Sequence, residues 1–128
     1  MDQRVQKIIT LMEQGFDHQL SINDLAKAVN LSPWRLYHIF KSETNVAPLH
    51  YLKAIRMEQA KRLLETTFLS VKQVMIEVGV RDESHFVRDF KSAYGVSPAR
   101  FRLSLGIGIS LGIGNGPPRG LTAKSAKR

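Results

Sequence analysis

Two short stretches of this chain hold the side chains best suited to grip another molecule. Between positions 34 and 41 stand Trp34, Arg35, Tyr37, His38 and Lys41; between 83 and 91 stand Glu83, Ser84, His85, Val87, Arg88 and Lys91. Guanidinium and ammonium groups hold phosphate oxygens. Arginine, histidine and serine also exchange hydrogen bonds with base edges, and apolar side chains meet the thymine methyl. At 100° per residue, Leu36, Ile39 and Phe40 share one side of the first stretch and must face a core. Trp34, His38 and Lys41 fall opposite, flanked by Arg35, Tyr37 and Ser42. In the second stretch Phe86 and Phe90 face inward, Ser84, Arg88 and Lys91 point outward, and His85 and Val87 lie at the flanks. Neither outward face is a plain Glu/Lys solubilising surface.

Plainer roles exist for each residue. An arbitrary Trp is most often a core aromatic, but Trp34 stands opposite the core side of its wheel. His38 and His85 fit ordinary surface histidines, and neither has a second ligand at metal spacing. Arg88 and Lys91 could form a solvated face, although Lys91 repeats Lys41 at the equivalent place. Glu83 is either a helix-start charge favoured by the dipole or an acceptor for the cytosine amino group. Catalysis has little to stand on: there is no G-x-S-x-G, no H-E-x-x-H and no phosphate-cradling glycine loop. No enzyme activity, cofactor or metal is expected.

The elements that must position these faces repeat. Phe40, Lys41, Ser42, Val46 and Pro48 return 50 positions later as Phe90, Lys91, Ser92, Val96 and Pro98. Upstream the spacing is 49: Ile22, Leu25, Ala26, Val29 and Asn30 match Val71, Val74, Met75, Val78 and Gly79. A repeat this long in a chain of 128 residues means two similar units. In each, a short helix ends on a residue that tolerates a left-handed backbone, Asn30 or Gly79, and a second helix follows after a tight turn. Ser21 and Ser32 are N-caps, and Pro33 sits at a first helical position where its missing N–H costs nothing. An opening helix over 4–16 places Val5, Ile8, Ile9, Met12 and Phe16 on one stripe. Residues 49–66 form the longest helix, about 27 Å at 1.5 Å per residue. Leu49, Leu52, Ile55, Met57, Ala60, Leu63 and Leu64 are its candidates for burial.

The net charge is +8, but only half of it lies within residues 1–102, where 15 Lys/Arg face 11 Asp/Glu. That excess suits a polyanion without requiring one. There is no cysteine, so disulfides and cysteine zinc sites are excluded. The charged first turn does not resemble a signal peptide, and no window is apolar enough to span a bilayer, so a cytoplasmic protein is expected. After Arg102 the composition shifts: six of nine glycines, Ser-Leu-Gly-Ile-Gly at 104–108 and again at 110–114, and four basic residues without an acid. Alternate glycine argues for a flexible tail over 103–128, with a sticky strand as the alternative.

Val71-x-x-Val74, Gly79, Ser84-x-Phe86-x-Arg88-x-Phe90-Lys91 and Gly95-x-Ser97-Pro98-x-x-Phe101-Arg102 form one long pattern, joined by Arg56-x-x-x-Ala60-x-x-Leu63-Leu64. On these residues the chain resembles the DNA-binding domain of the AraC/XylS family of bacterial transcription regulators, over roughly 4–102. The resemblance implies two helix-turn-helix subdomains, 1–48 and 67–102, joined by a linking helix over 49–66. Carried over by position, the base-reading residues are Trp34, Arg35, Tyr37 and His38, then Glu83, Ser84, His85, Val87 and Arg88. Lys41 and Lys91 match phosphate-contacting positions. Met75 replaces the family's usual Ala, Val80 an aromatic and Asn30 a Gly. Asn45-Val46-Ala47-Pro48 lacks the capping hydroxyl, a loss of about 1 kcal/mol.

An all-α, sequence-specific binder of double-stranded DNA is therefore expected, acting as a monomeric transcription regulator, more often an activator, with RNA polymerase as a further partner and no membrane. Its rivals are a helical protein-interaction module and a non-specific architectural DNA binder. An alkyl-transfer repair protein is ruled out for want of an acceptor cysteine.

Overall fold

Capping chemistry sets where each helix begins. In the computed structural model, which describes residues 1–111 and side-chain surroundings through residue 106, α1 spans Gln3–Gly15 behind an Asp2 cap whose carboxylate accepts from the Arg4 N–H. Helix α2 (Ile22–Ala28) opens on a reciprocal capping box between Ser21 and Asp24, and α5 (Val71–Glu77) on the equivalent box between Ser70 and Gln73. Ser32 caps α3 (Pro33–Thr44) and Asp82 caps α6 (Glu83–Tyr94). Between the units runs α4 (Pro48–Thr66), and α7 (Pro98–Leu111) ends the described chain.

The turns close alike in both units. After α2, the Leu31 N–H donates to the Ala26 carbonyl at 3.0 Å; after α5, the Val80 N–H donates to the Met75 carbonyl at 3.1 Å. That six-to-one bond requires a left-handed residue just before the donor, supplied by Asn30 (φ 57°) and Gly79 (φ 85°). Helices α3 and α6 also end on left-handed residues, Asn45 (φ 65°) and Gly95 (φ 85°), but through a five-to-one bond, each N–H donating to a lysine carbonyl at 2.7 Å.

Each unit has its own core, and α4 serves both. Val5, Ile8, Met12, Leu25, Leu36 and Phe40 are buried together with Leu52 of α4. Val74, Met75, Val78, Phe86 and Phe90 are buried with Met57, Ala60 and Leu64 from the later turns of α4. Phe16 packs against both clusters. Lys53 of α4 pairs with Asp89 of α6 at 3.6 Å, and the Arg102 guanidinium donates to the Leu64 and Leu69 carbonyls, fastening α7 beneath the end of α4. Among the described residues no helix is long and apolar enough to cross a membrane.

Two expectations are corrected. Leu49, expected to be buried, is 45% exposed; Pro48 takes the buried place at the start of α4, with Leu52 one turn on. The stretch expected as tail from 103 is helical in its first part, where α7 continues to Leu111. Propagating an existing helix costs far less than nucleating one, so a first turn docked through Phe101 and Arg102 carries weak helix formers forward. The expectations for 112–128 lie outside the described residues.

Candidate nucleic-acid interface

Helix α3 presents Trp34, Arg35, Tyr37, His38 and Lys41 to solvent while Leu36 and Phe40 are fully buried beneath them. The wheel assignment thus holds, and Trp34 is 69% exposed. Leaving an indole in water is unfavourable, and the aromatic ring it meets among the described residues, His38, is on its own helix. The Trp34 and His38 rings lie 4.1 Å apart between centroids, His38 meets Tyr37 edge-on at 5.3 Å, and the Lys41 ammonium stands 5.7 Å from the Tyr37 ring. Four of the five predicted residues thus form one contiguous cluster, partly ordered before any partner arrives. Arg35 points outward beside it, its backbone N–H held by the Ser32 hydroxyl at 3.1 Å.

On α6, Glu83, Ser84, His85, Arg88 and Lys91 are exposed and Val87 is half-buried, at the flank where the wheel put it. These side chains do not cluster. Asp82 accepts from the His85 N–H at 2.9 Å, and its other oxygen lies 3.7 Å from the His85 ring nitrogen. The backbone hydrogen bond holds the Asp82 carboxyl below its ordinary value, helped by the nearby charges of His85 and Arg88. The Arg88 guanidinium is 3.9 Å from Asp89, whose carboxylate is turned toward Lys53 of α4. Arg88 is thus anchored loosely at its base, with its fork free for a planar acceptor.

Both faces therefore offer the equipment for a groove edge: aromatic and imidazole groups on α3, a guanidinium and small polar groups on α6, and one lysine near the end of each. What sequence reasoning missed is the support behind them. Arg56 of α4 donates to the Phe16 and His18 carbonyls, both at 2.7 Å, and the Gln19 amide donates to the Gly79 carbonyl at 3.1 Å. Burial pushes the Arg56 guanidinium below its ordinary value. Arg56 carried a signal, since it belongs to the pattern of the linking helix; Gln19 carried none.

Comparison with known proteins places this geometry among relatives. A helix-turn-helix domain family model matches residues 25–104. The Msm operon regulatory protein of Streptococcus mutans is 35% identical over 98 residues, which is 77% of this chain and 35% of that protein. The chain thus spans about a third of the length of the curated relatives it matches. Among solved structures, the C-terminal domain of AraT, a response regulator from Geobacillus stearothermophilus, superposes with a TM-score of 0.77 at 31% identity, covering 80% of this chain and 86% of that one. The DNA-binding domain of AdpA, solved in complex with a target DNA, gives 0.75 at 30% identity over 78% of this chain and 90% of that one.

Proposed function

Because this chain belongs to the AraC-type family of helix-turn-helix proteins, we propose that it binds double-stranded DNA at specific sequences and so regulates transcription, laying α3 and α6 into adjacent major-groove segments. The observation that carries this proposal is the pair of outward faces on equivalent helices, mounted on the single linking helix α4. Two readers on one rigid support suit a site whose halves lie about one helical turn, ~34 Å, apart on one DNA face. A monomer occupies both halves without a second copy.

Within that arrangement Arg88 reads guanine through its fork, Ser84 and His85 take neighbouring edges, and Glu83 accepts from a cytosine amino group. Trp34, Tyr37 and Val87 supply apolar contact, and Arg35 and His38 supply donors. Lys41 and Lys91 hold phosphates and provide the salt-dependent background. The start of α3 or α6 adds backbone N–H groups for the same purpose. The protein acts in the cytoplasm, without catalysis, and RNA polymerase is the partner through which activation would operate.

Selection from a random-duplex library at about 150 mM salt, where phosphate-only binding is suppressed, tests the proposal. Two short enriched motifs at fixed spacing are expected. Binding that fades smoothly with salt and enriches nothing would leave an architectural or protein-interaction role instead.

A further inference from the structure

The two units touch away from α4, at a place where the chain has no room to spare. Gly79 closes the turn after α5 at φ 85°, and a Cβ built there would lie 2.8 Å from the Phe16 carbonyl oxygen and 2.9 Å from the Asp17 backbone. Backbone atoms cannot swing aside as a side-chain tip would. Gly95 has the same φ of 85°, yet a Cβ there would meet nothing within 4 Å. The left-handed backbone alone does not demand glycine either, because Asn30 and Asn45 occupy the equivalent turns of the first unit. Glycine at 79 therefore answers a second requirement, the close approach of the segment between α1 and α2.

That segment is gripped from two sides. Arg56 of α4 holds the Phe16 and His18 carbonyls, and Gln19 reaches across to the Gly79 carbonyl, 60 positions away in sequence. Phe16 packs into both cores at the same point. A helix such as α4 fixes the distance between two units, but one shared helix leaves them free to rock about its end. A second contact off that axis removes the rocking.

We propose that Gly79, Gln19 and Arg56 form a clamp that fixes the angle between the two helix-turn-helix units, making them positioning residues that set the spacing at which two groove segments are read together. The clamp itself is a property of the free protein; its consequence for spacing rests on the DNA-binding function proposed above. With the angle fixed, the second reader arrives at its segment at high effective concentration once the first is docked. With the clamp open, that concentration is spread over many orientations.

The chain has no native cysteine, so paired spin labels at Ser42→Cys and Ser92→Cys, both exposed, report the distance between the ends of α3 and α6 in the full chain without DNA. A single narrow distance distribution is expected for the parent, and for Gly95→Ala, which shares the backbone strain but not the contact. Gln19→Ala and Gly79→Ala should broaden it while circular dichroism stays helical. Gln19→Ala loses one hydrogen bond and adds no clash, so it decides the matter if Gly79→Ala fails to fold. On duplexes bearing both selected motifs, the opened variants should lose about tenfold at the preferred spacing and far less at spacings one base pair off, flattening the preference. Distributions as narrow in Gln19→Ala and Gly79→Ala as in Gly95→Ala would overturn the clamp. Clamp-dependent narrowing in a chain that prefers no DNA sequence would uphold the clamp and sink only the function it was meant to serve.

Discussion

The two helix-turn-helix units are built to one plan and finished differently. Both turns after the short helix close through the same six-to-one bond, and both second helices end on a left-handed residue donating to a lysine carbonyl. The first unit uses Asn30 and Asn45 there, the second Gly79 and Gly95. The first restarts α4 at Ala47 with no side-chain cap, whereas the second restarts α7 at Ser97, whose hydroxyl accepts from the Arg100 N–H at 3.2 Å. The outward face of α3 is aromatic and self-packed; that of α6 is charged and separated. Backbone geometry is thus common to the two copies, while what varies is what each copy must touch. A difference between the copies is a pointer to a contact, either within the molecule or beyond it.

The largest effect should come from making the second unit resemble the first. Gly79→Asn imports the residue that serves at position 30, but its Cβ would collide with the Phe16 and Asp17 backbone. A loss of about 3 kcal/mol or more is expected from overpacking against atoms that cannot yield, added to the left-handed strain. Gly95→Asn, at the same φ in open space, should cost about 1 kcal/mol or less. Urea unfolding of both variants measures the gap, and equal losses would mean that conformation, not contact, selects glycine at 79.

The outward faces give the next effect. Arg88→Ala should cost about 1–3 kcal/mol on the preferred site and relax the preference at one base position. Lys91→Ala should weaken all duplexes alike and lower the salt slope by about one. Titration of specific and scrambled duplexes over a salt series separates the two. If Arg88→Ala weakens both duplexes equally, it is a phosphate contact and α6 reads through other residues.

This contrast also shows where the sequence was readable. Helix existence, the caps at Ser21 and Ser32 and the outward placement of Trp34 and Arg88 follow from local period and cap chemistry, whereas the caps at Ser70 and Asp82 emerge only in the structure. The identity of the turn residues was readable as a conformational need, but not the tight place around Gly79. That depends on Phe16, Asp17 and Gln19, whose partners Arg56 and Gly79 lie far along the chain and leave no periodic trace. Leu49 is exposed against expectation because the periodicity of an apolar-rich helix does not say which turn first meets the core. Residues 103–111 are helical against expectation because glycine weakens a helix by roughly 1 kcal/mol per residue without forbidding one that is already docked.

A smaller effect tests the missing cap. Ala47 has the extended backbone of an N-cap, φ −64° and ψ 148°, so a hydroxyl there needs no rearrangement to reach the first turn of α4. Ala47→Ser should add about 1 kcal/mol, and Ser97→Ala should remove a similar amount from the equivalent place. Thermal melting of the two single variants and the double checks whether the changes offset. An unchanged midpoint in Ala47→Ser would mean that water already satisfies those N–H groups as well as serine does.

The smallest effect distinguishes the caps of the two outward helices. Ser32 does not titrate, whereas Asp82 does, and its carboxyl is held below the ordinary carboxylate value chiefly by the His85 backbone hydrogen bond. A group whose value is depressed in the folded protein adds stability above its unfolded pKa, about 3.9 for aspartate, and loses it as pH falls through the folded value below that. Stability should therefore decline on acidification below about pH 4, partly through Asp82. Asp24, also held down by its capping box, adds to the same decline, so the slope does not vanish with one substitution. Asp82→Ser gives the second unit the cap of the first and should flatten the acid slope of unfolding free energy while leaving neutral-pH stability nearly unchanged. A slope that stays as steep in Asp82→Ser would move the acid sensitivity to the Asp2 and Asp24 caps, leaving the α6 cap as indifferent to pH as its serine counterpart.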